Sequence, residues 1–364
     1  MPVLKKIVVR NWRNIDLQEL EFSPNLNCLS GGNGEGKTNL LDAVYYLSMT
    51  KSAFGASDKF NYARGTSFFE LAGTYDMHDG LQARFGIRTA EGEEKKVTRD
   101  GKTYEKISDH IGVLPIVMVS PGDSSLVSDS SDERRRFSNA VLSQIDREFL
   151  SDMQCYSKLL QTRNVVLKGG ADDGILETID TRLAEFGTRI YKKRQAFVQD
   201  IEPQVGKFYE LLSGGRETVG IRYRSDIDKA PLYDLLRENL AKDRLLGFTS
   251  CGIQRDDLIF TMDGDPIRKI GSQGQQKSFL ISLKFAQYEI MKQKYGFAPI
   301  LLLDDLFDKL DFERTQNLLK MVAGEDFGQI FITDTDKTRL ETIIAGITEE
   351  STFYQTSGGV FTRQ

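Results

Sequence analysis

Gly31-Gly32-Asn33-Gly34-Glu35-Gly36-Lys37-Thr38 is the stretch whose reading decides the fold. It fits G-x-x-x-x-G-K-[ST], a loop whose backbone N–H groups can turn toward phosphate oxygens because glycine puts no side chain in the way. Lys37 is spaced to reach the β and γ phosphates, and the Thr38 hydroxyl to ligate Mg²⁺. The flanking context agrees. Leu26 to Leu29 reads as a strand running into the loop, and Asn39 to Met49 has helical spacing through Leu40, Ala43, Val44 and Leu47. A helix starting there adds the partial positive charge of its N-terminus, which favours an anion. ATP and Mg²⁺ are the expected ligands, with Gly31, Gly32, Asn33, Gly34, Glu35, Gly36, Lys37 and Thr38 as the nucleotide-binding loop.

Outward from the loop the pattern is first β. Val3 to Val9 alternates, Leu17 to Phe22 follows, and beyond the helix come Phe68 to Tyr75, Leu81 to Arg88 and a hairpin signal at Asp100-Gly101. Val113 to Val119 reads as a buried strand that stops at Pro121. From Phe137 the period changes: Val141, Ile145, Phe149, Met153, Tyr156 and Leu160 recur at three and four. A glycine-rich break at Gly169 to Gly174 precedes a second run, Ile179 to Leu212, in which Pro203 is expected to kink or end a helix. Leu232 to Leu246 reads as a third, short helix. Strands return at Asp257 to Met262, Ile300 to Leu303 and Gln329 to Thr333. The expected fold is α/β: a P-loop head in two sequence halves, 1–125 and 247–364, with a helical arm, 126–246, inserted between them.

The composition limits the alternatives. The chain has 364 residues, 40% hydrophobic and 28% charged, which suits about two domains with real cores. No apolar run approaches the roughly 20 residues of a membrane span, and no signal-peptide core of about 7–15 residues follows Met1. Cys28, Cys155 and Cys251 have no metal-ligand spacing and read as core thiols of a reducing compartment, so a cytoplasmic location without membrane contact is expected. With only His78 and His110, histidine-based nucleophile chemistry and histidine-rich metal sites are improbable. The net charge of −5 offers no general attraction to nucleic acid, so DNA contact would need local basic patches.

Ile300-Leu301-Leu302-Leu303-Asp304-Asp305 is an apolar strand ending in two acids. Beside a phosphate loop, Asp304 would hold Mg²⁺ and Asp305 would polarise the attacking water, so Asp305 and Lys37 are the candidate catalytic residues. The acids stand so far along the chain from Lys37 that an insertion is required, and the helical arm supplies it. Gly271-Ser272-Gln273-Gly274-Gln275-Gln276 opens a long helix before that strand. One reading is an N-cap by Ser272. The sharper reading is an ABC-type signature, in which Ser272, Gln273, Gly274, Gln275 and the helix N-terminus take the γ-phosphate held by an opposite subunit. Asp308 and Asp311 sit where ABC-type heads carry a D-loop. Thr333-Asp334-Thr335 stands where many carry a switch histidine, leaving Thr335, another hydroxyl or Asp334 for that position. Arg134-Arg135-Arg136 and Lys192-Lys193-Arg194 are candidate DNA-phosphate contacts, though such a group is more often a solvated face. Lys5, Lys6, Arg10 and Arg13 form a third basic group on the first strand.

These residues resemble the RecF family of bacterial recombination-mediator ATPases, within the SMC and ABC group, over nearly the whole chain. Asn11-Trp12-Arg13-Asn14, Gly34 to Ala43, Arg134 to Phe137, Tyr156 to Asn164, Arg255-Asp256-Asp257-Leu258, Ser272 to Gln276 and Leu302 to Asp305 carry the resemblance. Departures occur at Gly252-Ile253-Gln254, which lacks the family's proline and histidine, at Pro121-Gly122-Asp123-Ser124 and at Lys277. No glutamine near Pro121 can be assigned to a Q-loop. The resemblance implies weak, DNA-stimulated ATP hydrolysis, an ATP-dependent homodimer, and binding to duplex DNA beside single-stranded gaps. It further implies partnership with RecR and RecO in loading RecA, in gap repair and the SOS response. The alternatives are an SMC-like structural ATPase, whose coiled coil would need far more residues than this arm has, and an ABC ATPase of another DNA transaction. A nuclease or a transporter subunit is disfavoured by the lack of a second acidic cluster and of a membrane-coupling surface.

Overall fold

In the computed structural model the described residues are 1–364 apart from 56, 171–172, 308–309, 311, 323–326, 339 and 342–350. The chain opens with β1 (Val3–Trp12), β2 (Ile15–Glu21) and β3 (Leu26–Ser30), then α1 (Lys37–Met49). β4 (Phe68–Asp76), β5 (Gln82–Ala90), β6 (Lys96–Arg99), β7 (Lys102–Thr103) and β8 (Ile116–Val119) follow. Helices come next: α2 (Ser125–Ser128), α3 (Ser131–Ile145), α4 (Arg147–Gly169) and α5 (Asp173–Ser213). Then β9 (Val219–Arg224), α6 (Leu232–Glu238), α7 (Leu240–Leu246), β10 (Asp257–Met262), β11 (Asp265–Pro266) and α8 (Ile267–Ile270) precede the long α9 (Gln273–Tyr295). β12 (Ile300–Leu303), α10 (Phe312–Val322), β13 (Ile330–Asp334), β14 (Ser351–Ser357) and β15 (Val360–Arg363) complete the chain.

Two compact units emerge. One gathers Met1–Asp123, Leu211–Ser213 and Lys284–Gln364, and the other Ser124–Glu210 and Gly214–Leu283. Residues 247–283, read from the sequence as part of the resumed head, group with the helical unit. The reason is pairing: β10 lies between β9 and β11 in a small antiparallel sheet that belongs to the helices.

The first unit is a two-sheet head. One sheet is antiparallel, in the order β2-β1-β4-β5-β6-β7. The other runs β15-β14-β3-β13-β12-β8, parallel from β14 to β8, with only β15 antiparallel. β3, β13, β12 and β8 are buried along their length, which is why Ile300–Leu303 is an unbroken apolar run. α1 touches β1, β4 and β5 of the first sheet and β13 and β8 of the second. A helix held between two sheets needs apolar residues nearly all round, and Leu40, Leu41, Ala43, Val44, Tyr46, Leu47 and Met49 are buried. Trp12, Tyr46 and Phe69 meet edge to face on one side of it, with centroids 4.7–5.3 Å apart.

In the second unit α4 and α5 form an antiparallel pair. Arg163 binds Asp180, Arg189 binds Asp152, and Lys193 binds Asp146 and Glu148, so the contacts advance along one helix as they retreat along the other. Gly170, at φ 65°, ends α4 in the left-handed region that glycine tolerates. Pro203 does not end a helix: α5 runs unbroken through it. The ring lies on the exposed side, where a helix can bend outward, while Ile201 and Val205 beside it stay buried. The expected third helix is two, split at Asn239. α4, α5 and α7 are tied together by polar groups. Arg163 is fully buried and bonds Asp180 at 2.6 Å, Asp243 at 2.7 Å and Thr249 at 2.9 Å.

Replacing Arg163 by alanine would leave two buried carboxylates without a counter-charge. Such a loss costs about 3–5 kcal/mol, and urea unfolding of Arg163→Ala is expected to show a loss of that order. A change under about 1 kcal/mol would mean that the two acids find other partners.

Candidate functional site

The site follows from strand order. β13 lies between β3 and β12, so the C-terminal ends of all three open side by side. β3 runs into the glycine loop, β12 into Asp304-Asp305, and β13 ends at Thr333-Asp334. Gly31, Gly34 and Gly36 hold φ of 154°, 81° and 112°, a path that side chains resist. At Gly31 a Cβ would stand 2.5 Å from the Thr356 carbonyl oxygen on the neighbouring β14.

Lys37 is buried at the first turn of α1. Its Nζ donates to the carbonyls of Gly31 at 2.6 Å and Gly32 at 2.8 Å. Burial pushes this ammonium below the usual lysine range, while Asp305, Asp304, Asp334 and Glu35 pull it back up. The Thr38 hydroxyl lies 2.9 and 2.8 Å from the two carboxylate oxygens of Asp304. Thr333 donates to the same carboxylate at 2.7 Å. Burial drives Asp304 above the usual carboxylate range, against the hydrogen bonds from Thr333 and Thr38. Asp305, half-buried at φ 47°, donates its backbone N–H to Thr333 Oγ1 at 3.0 Å. A small cavity of about 130 Å³ lies among Lys37, Thr38, Asn39, Asp304, Asp305 and Thr333. An ammonium, a hydroxyl, two carboxylates and glycine-loop amides on one rim can hold a polyphosphate and a divalent cation and can orient water beside them.

A tie missed by the sequence reading comes from Asn11 to Asn14. Arg13 was grouped with Lys5, Lys6 and Arg10 as strand decoration, but its guanidinium turns inward. It bonds Asp42 at 2.6 Å, Ser52 at 3.0 Å, Asn39 at 3.0 Å and Asn61 at 3.1 Å. Asp42 is a carboxylate inside the doubly packed α1, so a cation must come to it. Asn14 Nδ2 reaches the Gly34 carbonyl at 3.4 Å, and its Oδ1 accepts from Asn39 at 2.7 Å. Asn11 and Arg13 both hold positive φ, the signal of a turn shaped for a purpose.

The other candidates divide. Ser272 caps α9: its Oγ accepts from Gln275 N at 3.3 Å, and Gln275 Oε1 accepts from Ser272 N at 2.8 Å. Gln275 also bonds Glu217 at 2.7 Å, and Ser272 and Gln273 are exposed with Gly274 at the start of that helix. Thr335 is exposed just past β13, whereas Thr333, the other hydroxyl of that stretch, is the one at the acids. Asp334 is buried and accepts from Asp336 N at 2.8 Å. Asp308 and Asp311 lie outside the described residues.

The basic groups need correction. Arg134 is buried on Asp257 at 2.7 Å, and Arg194 is buried among the Ile253 carbonyl, Asp256 and Asn139, so neither can meet DNA from this position. Arg135 bonds Asp132 and the Asp256 carbonyl, and Lys193 bonds Asp146 and Glu148. These charges answer buried or neighbouring carboxylates instead of facing solvent. Arg136 and Lys192 are exposed, the former beside Glu133 at 2.5 Å. Among the described residues no helix is long and apolar enough to cross a membrane, and no group of three or more His, Cys, Asp or Glu could hold a metal ion.

Strand order, glycine loop, acid pair and inserted helices together define an ABC-type P-loop ATPase head of the α/β class. The pattern described as RecF/RecN/SMC N terminal domain matches residues 3–352. The DNA replication and repair protein RecF of Bacteroides fragilis is 40% identical over 359 residues, covering 98% of this chain and 97% of that protein. The chain belongs to the RecF family. A solved structure of the recombination mediator protein RecF-ATP in the RecFOR pathway is 28% identical at TM-score 0.89, covering 100% of this chain and 99% of that one. The Smc head domain of Pyrococcus furiosus, with an extended coiled coil and bound to the C-terminal domain of ScpA, shares the fold at TM-score 0.59 and 14% identity. That match covers 100% of this chain and 96% of the other.

Because its Cβ would press on Thr356, Gly31→Ala is expected to destabilise the head by about 1–3 kcal/mol, the usual cost of overpacking. Urea unfolding measures this, and an unchanged midpoint would show that β14 yields freely.

Proposed function

We propose that this chain is an ATP-gated DNA clamp of recombinational repair with slow ATP turnover. The observation that carries the reading is the convergence of Thr38, Asp304, Thr333 and Asp305 at the mouth of a glycine loop. It is supported by relatives named for DNA replication and repair and by a related structure named for ATP.

The residues fit the groups they would hold. Glycines at positive φ leave the loop amides unshielded for phosphate, and at Gly34 a Cβ would meet nothing. Lys37 would exchange its loop carbonyls for the β and γ phosphates. Thr38 and Asp304, already at hydrogen-bond distance, would share Mg²⁺. One hydroxyl and one carboxylate suffice, because that ion takes its remaining oxygens from phosphate and water. Bound Mg²⁺ neutralises charge developing on the phosphate oxygens. Asp305 would orient and polarise the attacking water, with Thr333 holding the Asp305 backbone and the Asp304 carboxylate in place. Ser272, Gln273, Gly274 and Gln275 would take the γ-phosphate of a second copy, making the trinucleotide a bridge in a homodimer. Asp308, Asp311 and Thr335 would serve as D-loop and switch positions.

The DNA partner would be duplex beside a single-stranded gap, with Arg136 and Lys192 the exposed basic candidates. RecR and RecO would act with this chain in loading RecA, in the cytoplasm.

Lys37→Ala is expected to abolish ATP binding in calorimetry. Asp305→Asn should bind ATP and remain dimeric in sedimentation, whereas a monomer with and without ATP would remove the switch. ATP is expected to raise affinity for gapped duplex in a salt titration, the slope counting phosphate contacts. Equal affinity without nucleotide would leave a plain ATPase.

A further inference from the structure

The C-terminal strands hold the phosphate loop from a side that no motif in the loop announces. β14 runs parallel to β3 with Gln355 opposite Ser30, which brings the Thr356 carbonyl against Gly31. The turn between β14 and β15 then reaches the loop itself. Gly359 N donates to the Glu35 carbonyl at 2.9 Å, and Gly358 N donates to the Glu35 carboxylate. Gly359, at φ 82°, passes so close to the Asn14 backbone that a Cβ would stand 2.0 Å from the Asn14 carbonyl oxygen. Asn14 in turn reaches the Gly34 carbonyl, so two remote turns grip the loop and touch each other.

Glu35 makes this contact against an electrostatic penalty. A carboxylate in a phosphate-binding loop repels the anion, and Glu35 lies near enough to Lys37 to influence its ionisation. Its value must then lie in what it holds. We infer that Glu35 is a positioning residue through which the Gly358-Gly359 turn preforms the phosphate loop for nucleotide. The inference rests on the nucleotide reading of the loop. Its physical basis is preorganisation: a loop already fixed in its binding conformation has less ordering to lose when the ligand arrives.

The sign of two substitutions separates hydrogen bonding from charge. Glu35→Ala removes the acceptor, whereas Glu35→Gln keeps a side-chain oxygen for the Gly358 amide and removes the repulsion. With the full chain, a fluorescent ATP analogue and Mg²⁺, Glu35→Ala is expected to weaken binding about five- to tenfold, the worth of one hydrogen bond. Glu35→Gln should bind at least as tightly as the unaltered chain and unfold in urea at the same midpoint, whereas Glu35→Ala should lose no more stability than that one hydrogen bond supplies, about 0.5–1.5 kcal/mol, and so remain folded under the binding conditions. A second pair tests the turn itself. Gly358→Ala and Gly359→Ala both place a side chain at positive φ, but only the latter meets the Asn14 carbonyl, so only it should weaken binding severalfold. If the unaltered chain binds while Glu35→Ala binds equally well, or Glu35→Gln binds as weakly as Glu35→Ala, the positioning role is overturned. If the unaltered chain does not bind the analogue at all, the nucleotide reading fails, and this role with it.

Discussion

The hydrogen bonds that Thr38 and Thr333 make to the buried Asp304 carboxylate are the junction on which the head depends. They join a helix near the start of the chain to two strands near its end, at the rim of the cavity that the glycine loop opens into. A buried carboxylate with no donors would carry a heavy desolvation cost, so the three elements must arrive in register or not at all. The parallel order β3-β13-β12 delivers that register, because each strand ends at the same edge of the sheet.

The same logic explains the turn at Asn11 to Asn14. Packing α1 between two sheets buries Asp42, and burial of a charge demands a partner. Arg13 meets that demand while Asn14 and Trp12 bind the loop and the first turn of the helix, Trp12 through Asn39 at 2.8 Å. A structural need in the core and the shaping of a phosphate loop are thus met by one short turn. The helical unit repeats the device: Arg134, Arg163 and Arg194 each answer buried aspartates.

Much of this was legible in the sequence. The glycine loop, the apolar strand with its two acids and the change from period two to period three-and-four are local patterns, and each stands where it was expected. The misreadings share a cause. A row of arginines looks the same whether it faces solvent or an aspartate more than a hundred residues away, as Arg134 and Asp257 illustrate. Pro203 looks like a helix end until the outward face of α5 is known. The β14–β15 hairpin was passed over because its short alternation carries no motif, although its glycine pair touches the phosphate loop.

By itself, the sequence determined which chemistry could be present: glycine conformations, one lysine, one threonine and a pair of aspartates are fixed by residue type and spacing. The tertiary structure alone decided which threonine meets Asp304, which arginines are neutralised inside and which turn braces the loop. Those choices depend on contacts between residues far apart in the chain, and burial sets their strength. A local window of sequence contains neither quantity.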